Sequence, residues 1–158
     1  MRARFRTVAR STFVVLLVAS GAATAAAGNS SSHVGKAYPV SPFTVKGSIA
    51  LSENSSTNTL TVKLDLRGFK PNSRHVMHVH KGLMCANMAM GGMPSPTMGP
   101  ILVPLGVHRA DGSGQMKLAF TVKHAPKLKF GAIHVMVHYG PNINTPSNAR
   151  PMTCADIP

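Results

Sequence analysis

The sequence predicts an all-β fold, a sandwich or barrel of short strands. Three observations carry this. Apolar and polar residues alternate with period two in several short segments, the signature of strands with one face buried. Clusters of Gly, Pro, Asn and Ser separate those segments, as turns between strands do. No stretch carries the apolar stripe of an amphipathic helix, and no internal repeat is present. Strands and turns without helices place the chain among sandwiches and barrels.

Residues 1–27 read as a secretory signal peptide. Arg2, Arg4, Arg6 and Arg10 give a basic start, Phe13 to Val18 an apolar run, and Ala23-Thr24-Ala25-Ala26-Ala27 small-residue cleavage sites. The run is short for a membrane span, which makes an uncleaved anchor the weaker alternative. Residues 28–42 are Ser-rich and unpatterned, a flexible leader, and residues 43–158 form one domain.

Within that domain Val45, Gly47, Ile49 and Leu51 share one side of a strand, with Thr44, Lys46, Ser48 and Ala50 opposite. The polar cluster Glu53 to Asn58 turns the chain into Thr59 to Leu66, where Leu60, Val62, Leu64 and Leu66 face inward, making a hairpin. Gly68 to Ser73 is the next turn. Met84 to Pro104 is a long loop rich in Gly, Pro and Met, and loops of that length in a compact domain are usually functional. Strand structure resumes around Leu105 to Val107. After a turn at Ala110-Asp111-Gly112, Gln115 to Lys123 alternates with Met116, Leu118, Phe120 and Val122 on one face. Ala132 to His138 is the last expected strand. It places Ile133, Val135 and Val137 one way and His134, Met136 and His138 the other. A Pro- and Asn-rich tail runs on to Cys154.

The segment that carries chemistry is His75-Val-Met-His78-Val-His80, with Cys85 shortly after. On a strand His78 and His80 project from one face, an arrangement suited to a metal, and His75 falls on the other as a hydrogen-bonding residue. The alternative is two solvated histidines on an edge strand. Cys85 and Cys154 are the only cysteines. An even count in an exported chain points to one disulfide, closing roughly 70 residues and worth about 4 kcal/mol. The rival is a copper thiolate at Cys85 beside His78 and His80.

The whole chain has a formal charge of +13, and setting aside the four leader arginines leaves about +9. Such a field draws a protein to anionic envelope surfaces and steers small anions. Nucleic acid is not indicated, since the lysines are scattered and there is no Trp for base stacking.

Taken in order, these motifs resemble the copper/zinc superoxide dismutase family, in particular its bacterial exported branch. Gly68-Phe-Lys-Pro71 with His75-Val-Met-His78-Val-His80 is similar to that family's turn and histidine strand. Cys85, Ala110-Asp111-Gly112, Val135-Met-Val-His138, Asn148-Ala-Arg150 and Cys154-Ala-Asp-Ile157 match further pieces. The resemblance spans nearly the whole mature chain. It implies a Greek-key β-barrel, one copper on His78, His80 and His138, a Cys85–Cys154 bridge, and Arg150 as the catalytic cation that guides superoxide. Arg150 stands one residue further from its cysteine than in the family, which changes its aim.

The departures bear on function. The family's Gly-Gly-His segment supplies a histidine bridging copper and zinc, and here the stretch reads Gly91-Gly92-Met93. The other zinc ligands have no counterpart before Val107, so zinc is not expected. The loop instead holds Met84, Met88, Met90, Met93 and Met98, soft donors that favour Cu(I) or flexible apolar filler. Met93, at the aligned position, is the candidate fourth copper ligand. His33, His124 and His134 read as surface or supporting residues. Three functions follow: a secreted or periplasmic copper-handling or divergent redox protein exchanging copper with a donor or acceptor, a zinc-free superoxide dismutase, or a metal-free structural module.

Overall fold

A strand outside the expected set closes the architecture. The computed structural model describes residues 31–83, 85 and 99–158. Within them lie β1 (Ser32–Pro39), β2 (Lys46–Asn54), β3 (Thr59–Arg67), β4 (Arg74–Lys81), β5 (Ile101–Arg109), β6 (Gln115–Lys123), β7 (Ile133–His138) and β8 (Pro151–Ile157). They hydrogen-bond in the order β5-β4-β7-β8-β1-β2-β3-β6, every neighbouring pair antiparallel. The two end strands, β5 and β6, come back together, with the His108 ring stacked on Phe120 at 4.3 Å between centroids. The result is a nearly closed eight-stranded barrel.

Three expectations are corrected here. The segment read as a flexible leader, 28–42, contains β1. Ser32 to Ala37 pair with β2, and Tyr38 and Pro39 pair with Cys154 and Thr153 of β8, so β1 joins the two halves of the sheet. At the crossing, a Cβ on Gly35 would stand 2.3 Å from the Asp156 carbonyl oxygen, and only glycine allows that approach. Strand β5 begins at Ile101, not near Leu105. The tail read as irregular ends in β8, whose residues are almost all buried on both faces and so show no alternation. The signal-peptide region lies outside the described residues.

The barrel interior is filled where period two predicted it. Ile49, Leu51, Leu60, Val62, Leu66 and Met116 meet Met77, Val79, Val135 and Ile157 there. Strands β2, β3 and β6 bury one face. By contrast every residue of β7, and every residue of β4 between Arg74 and Lys81, is buried, so the outer face of this sheet is covered as well. Val40, Cys85, Met136 and Cys154 form a second small apolar cluster there, centred on a Cys85–Cys154 disulfide with Cα atoms 5.2 Å apart. With both sulfurs in that bond, the copper-thiolate reading of Cys85 is set aside.

Candidate metal centre

Strand β4 lies inside the sheet between β5 and β7, which rules out the edge-strand reading of its histidines. Met77 and Val79 point into the barrel, and His78 and His80 lie on the opposite face, yet are only 6% and 4% exposed. His138 on β7 joins them. One ring nitrogen from each of His78, His80 and His138 lies within 4.8 Å of the others.

A feature of the ladders turns these three rings together. The β4–β5 register shifts between Met77 and His78 and again between Val79 and His80. The β7–β8 register shifts between Val137 and His138. Each candidate ligand therefore sits beside a register shift, the kind of irregularity that re-aims a side chain beside a functional site. Pro104, opposite His78, lacks an N–H for the ladder and is tolerated because β5 is an end strand.

Main-chain carbonyls then choose the ligand atoms. His80 donates its Nδ1–H to the Gly99 carbonyl (3.1 Å) and His138 donates its own to Ala149 (2.7 Å). Their buried Nε2 atoms have no hydrogen-bond partner among the described residues, and neither does Nδ1 of His78. Gly99 holds its carbonyl in place through a left-handed turn (φ 71°), where a Cβ would strike the Lys81 carbonyl. Ala149 is held by a turn in which its N–H donates to the Thr145 carbonyl and Asn148 Nδ2 to Asn142 Oδ1.

Burial depresses the basicity of all three rings. His78 is pushed down to about 4, by burial first and then by its neighbours His138 and His80. His80 and His138 are lowered by the same loss of solvent, partly offset by their carbonyl partners. At neutral pH the centre therefore presents bare lone pairs, the state a metal needs. His75 behaves as expected: it is buried against Phe69, donates Nδ1–H to the His138 carbonyl and meets Ser73 Oγ through Nε2.

Other sequence candidates fall differently. Arg150 is exposed and its guanidinium lies over the Phe43 ring, 5.3 Å from the centroid. Met93 and the other loop methionines lie outside the described residues. His33 is partly exposed, His124 is exposed, and His108 bonds the Leu105 carbonyl. His134, read as a surface or supporting residue, is wholly buried beside His80, which removes the surface alternative. The alternation of β7 had already placed it on the face of His138, which was the available signal.

No protein-family model matches the sequence, and no curated protein matches it. Solved structures do. A mutant of Candida albicans superoxide dismutase 5 superposes with a TM-score of 0.52 at 18% identity, over 82% of this chain and 89% of that one. The Cu(II) form of the same enzyme gives 0.53 at 17% identity, over 82% and 92%. The fold is that of the copper/zinc superoxide dismutases. At this identity the likeness establishes the superoxide dismutase barrel and goes no further.

Proposed function

We propose that this is an exported copper protein of the bacterial type of superoxide-dismutase-like barrel, holding one copper through His78 Nδ1, His80 Nε2 and His138 Nε2. The supporting observation is that three buried histidines, each with a ring nitrogen lacking a partner among the described residues, bring ring nitrogens within 4.8 Å of one another. Buried polar atoms are almost always satisfied, and three histidines that each offer a ring nitrogen within 4.8 Å of the others fit a single ion. Imidazole accepts both copper states, and copper when bound supplies one-electron chemistry between them. The residues' own work is to hold three lone pairs rigid. Gly99 and Ala149 fix the ring tautomers of His80 and His138, and His75 also anchors the backbone of His138.

On the sequence of the long loop, with Met93 in the place of a bridging histidine and no zinc ligands, the role is copper handling or a divergent redox reaction with a copper donor or acceptor. The high positive charge suits an anionic cell-envelope surface. A second reading, a zinc-free superoxide dismutase, is favoured by the likeness to superoxide dismutase 5 and its Cu(II) form. Arg150, next in the chain to Ala149, would then attract the superoxide anion. Metal analysis of purified protein followed by a dismutation assay on the copper-loaded form tests both. Bound copper with negligible turnover supports handling, rapid turnover supports the enzyme, and a chain that takes no copper is a structural module.

A further inference from the structure

Four buried histidine nitrogens lack partners among the described residues, and the three-histidine centre uses only three of them. The fourth is Nε2 of His134. Its wiring repeats that of the candidate ligands: Nδ1–H donates to a main-chain carbonyl, here Gly82 at 2.7 Å, just as His80 uses Gly99 and His138 uses Ala149. Fixing one ring nitrogen as a donor to a carbonyl leaves the other as a directed lone pair, the usual arrangement around metal-binding histidines. His134 has no exposed surface, so water does not readily repay the lost hydrogen bond.

The ring is stacked on His80, with centroids 5.2 Å apart and planes 10° from parallel. It is not one of the group whose nitrogens lie within 4.8 Å of one another, so its lone pair serves a different position from theirs. Across the sheet His134 is the register partner of His80 on one side and of Asp156 on the other. Residues so paired project from the same face. The Asp156 carboxylate, a residue of that same face, accepts the Cys85 N–H at 3.2 Å. An imidazole lone pair on a face that also carries a carboxylate residue attracts a transition-metal cation.

We infer that His134 Nε2 is the donor of a second copper position, one ring away from the three-histidine centre. The inference rests on the copper reading above. It also fits a handling role, because copper passes between proteins by exchange of ligands and a neighbouring imidazole offers an intermediate stop.

The test uses mature, disulfide-bonded protein labelled with ¹⁵N at histidine and titrated anaerobically with Cu(I) in acetonitrile-containing buffer. Long-range ¹H–¹⁵N spectra follow each ring nitrogen, and native mass spectrometry counts ions. The first equivalent is expected to move the His78, His80 and His138 nitrogens, and the second to move His134 Nε2, giving two ions per chain. His134→Gln should stop at one ion with the first three nitrogens still shifting. Saturation at one copper overturns the second position and leaves the three-histidine reading standing, whether His134 Nε2 stays still or moves together with the other three. Movement of His134 alone removes the three-histidine reading and, with it, a second position, and no movement anywhere removes both.

Discussion

His75 donates its Nδ1–H to the main-chain carbonyl of His138 across 2.9 Å. The bond ties the turn-proximal end of β4 to the backbone of a candidate ligand on β7, and both residues are buried. The same local strap includes the Val76 N–H, which donates to the Gly140 carbonyl. A histidine on the inner face thus helps fix one on the outer face.

Replacing His75 by Phe should keep the packing against Phe69 but strand the His138 carbonyl. The expected loss is about 1–3 kcal/mol of stability, read as a lower denaturant midpoint at unchanged slope. Copper affinity should fall with it, because His138 loses its anchor. An unchanged midpoint would mean that this bond is not needed.

The disulfide joins residues 69 positions apart. Intact mass before and after alkylation should therefore show no reactive thiol without reductant. Changing both Cys85 and Cys154 to Ser should cost on the order of 4 kcal/mol in the chain-entropy account. The Cys85 N–H contact to Asp156 should loosen at the same time.

Metal-free protein should lose stability on acidification. The folded state holds His78 near pKa 4 against an ordinary 6.5, chiefly through burial. Above pH 6.5 neither state binds this proton and its contribution is complete. Between 6.5 and 4 only the unfolded chain takes it up, so stability falls with pH, by at most about 3 kcal/mol from this group. Denaturation midpoints from pH 8 to 4 measure it, and His78→Ala should flatten the slope. A slope that survives that substitution places the pH dependence elsewhere.

Copper loading should depend on the three convergent rings. His78→Ala or His138→Ala should abolish tight copper binding to that centre while leaving the barrel's circular dichroism unchanged. Refolding with both metals, followed by dialysis against a chelator, should leave copper and no stoichiometric zinc, because a structural zinc needs about four close ligands. Retained zinc would show that the long loop carries donors the alignment overlooks.

Met93 is the point where copper handling and dismutation separate. A thioether cannot carry the proton that a bridging histidine takes up and releases, and it favours the reduced ion. Copper should rest as Cu(I) in mild reductant. Met93→His should shift it toward Cu(II) and raise any dismutase activity. Wild-type turnover near roughly 10⁸–10⁹ M⁻¹s⁻¹ would establish the enzyme instead.

The sequence by itself determined the half-buried strands, because a strand with one wet face must alternate: β2, β3 and β6 were legible residue by residue. It also put His78 and His80 on one face and paired the two cysteines by count. The strands it hid, β1 and β8, are decided by neighbours. β8 is dry on both faces and has no period to read, and β1 is a strand because β2 and β8 leave their backbone groups open to it. The centre was only half legible for the same reason. Residue type and parity name candidate ligands, but which nitrogen each presents depends on carbonyls of Gly99 and Ala149, and its aim depends on register shifts between strands. The sequence leaves His134 between a surface and a supporting residue because burial and an unpartnered nitrogen are properties of the packed sheet, set by Gly82 and His80 beside it.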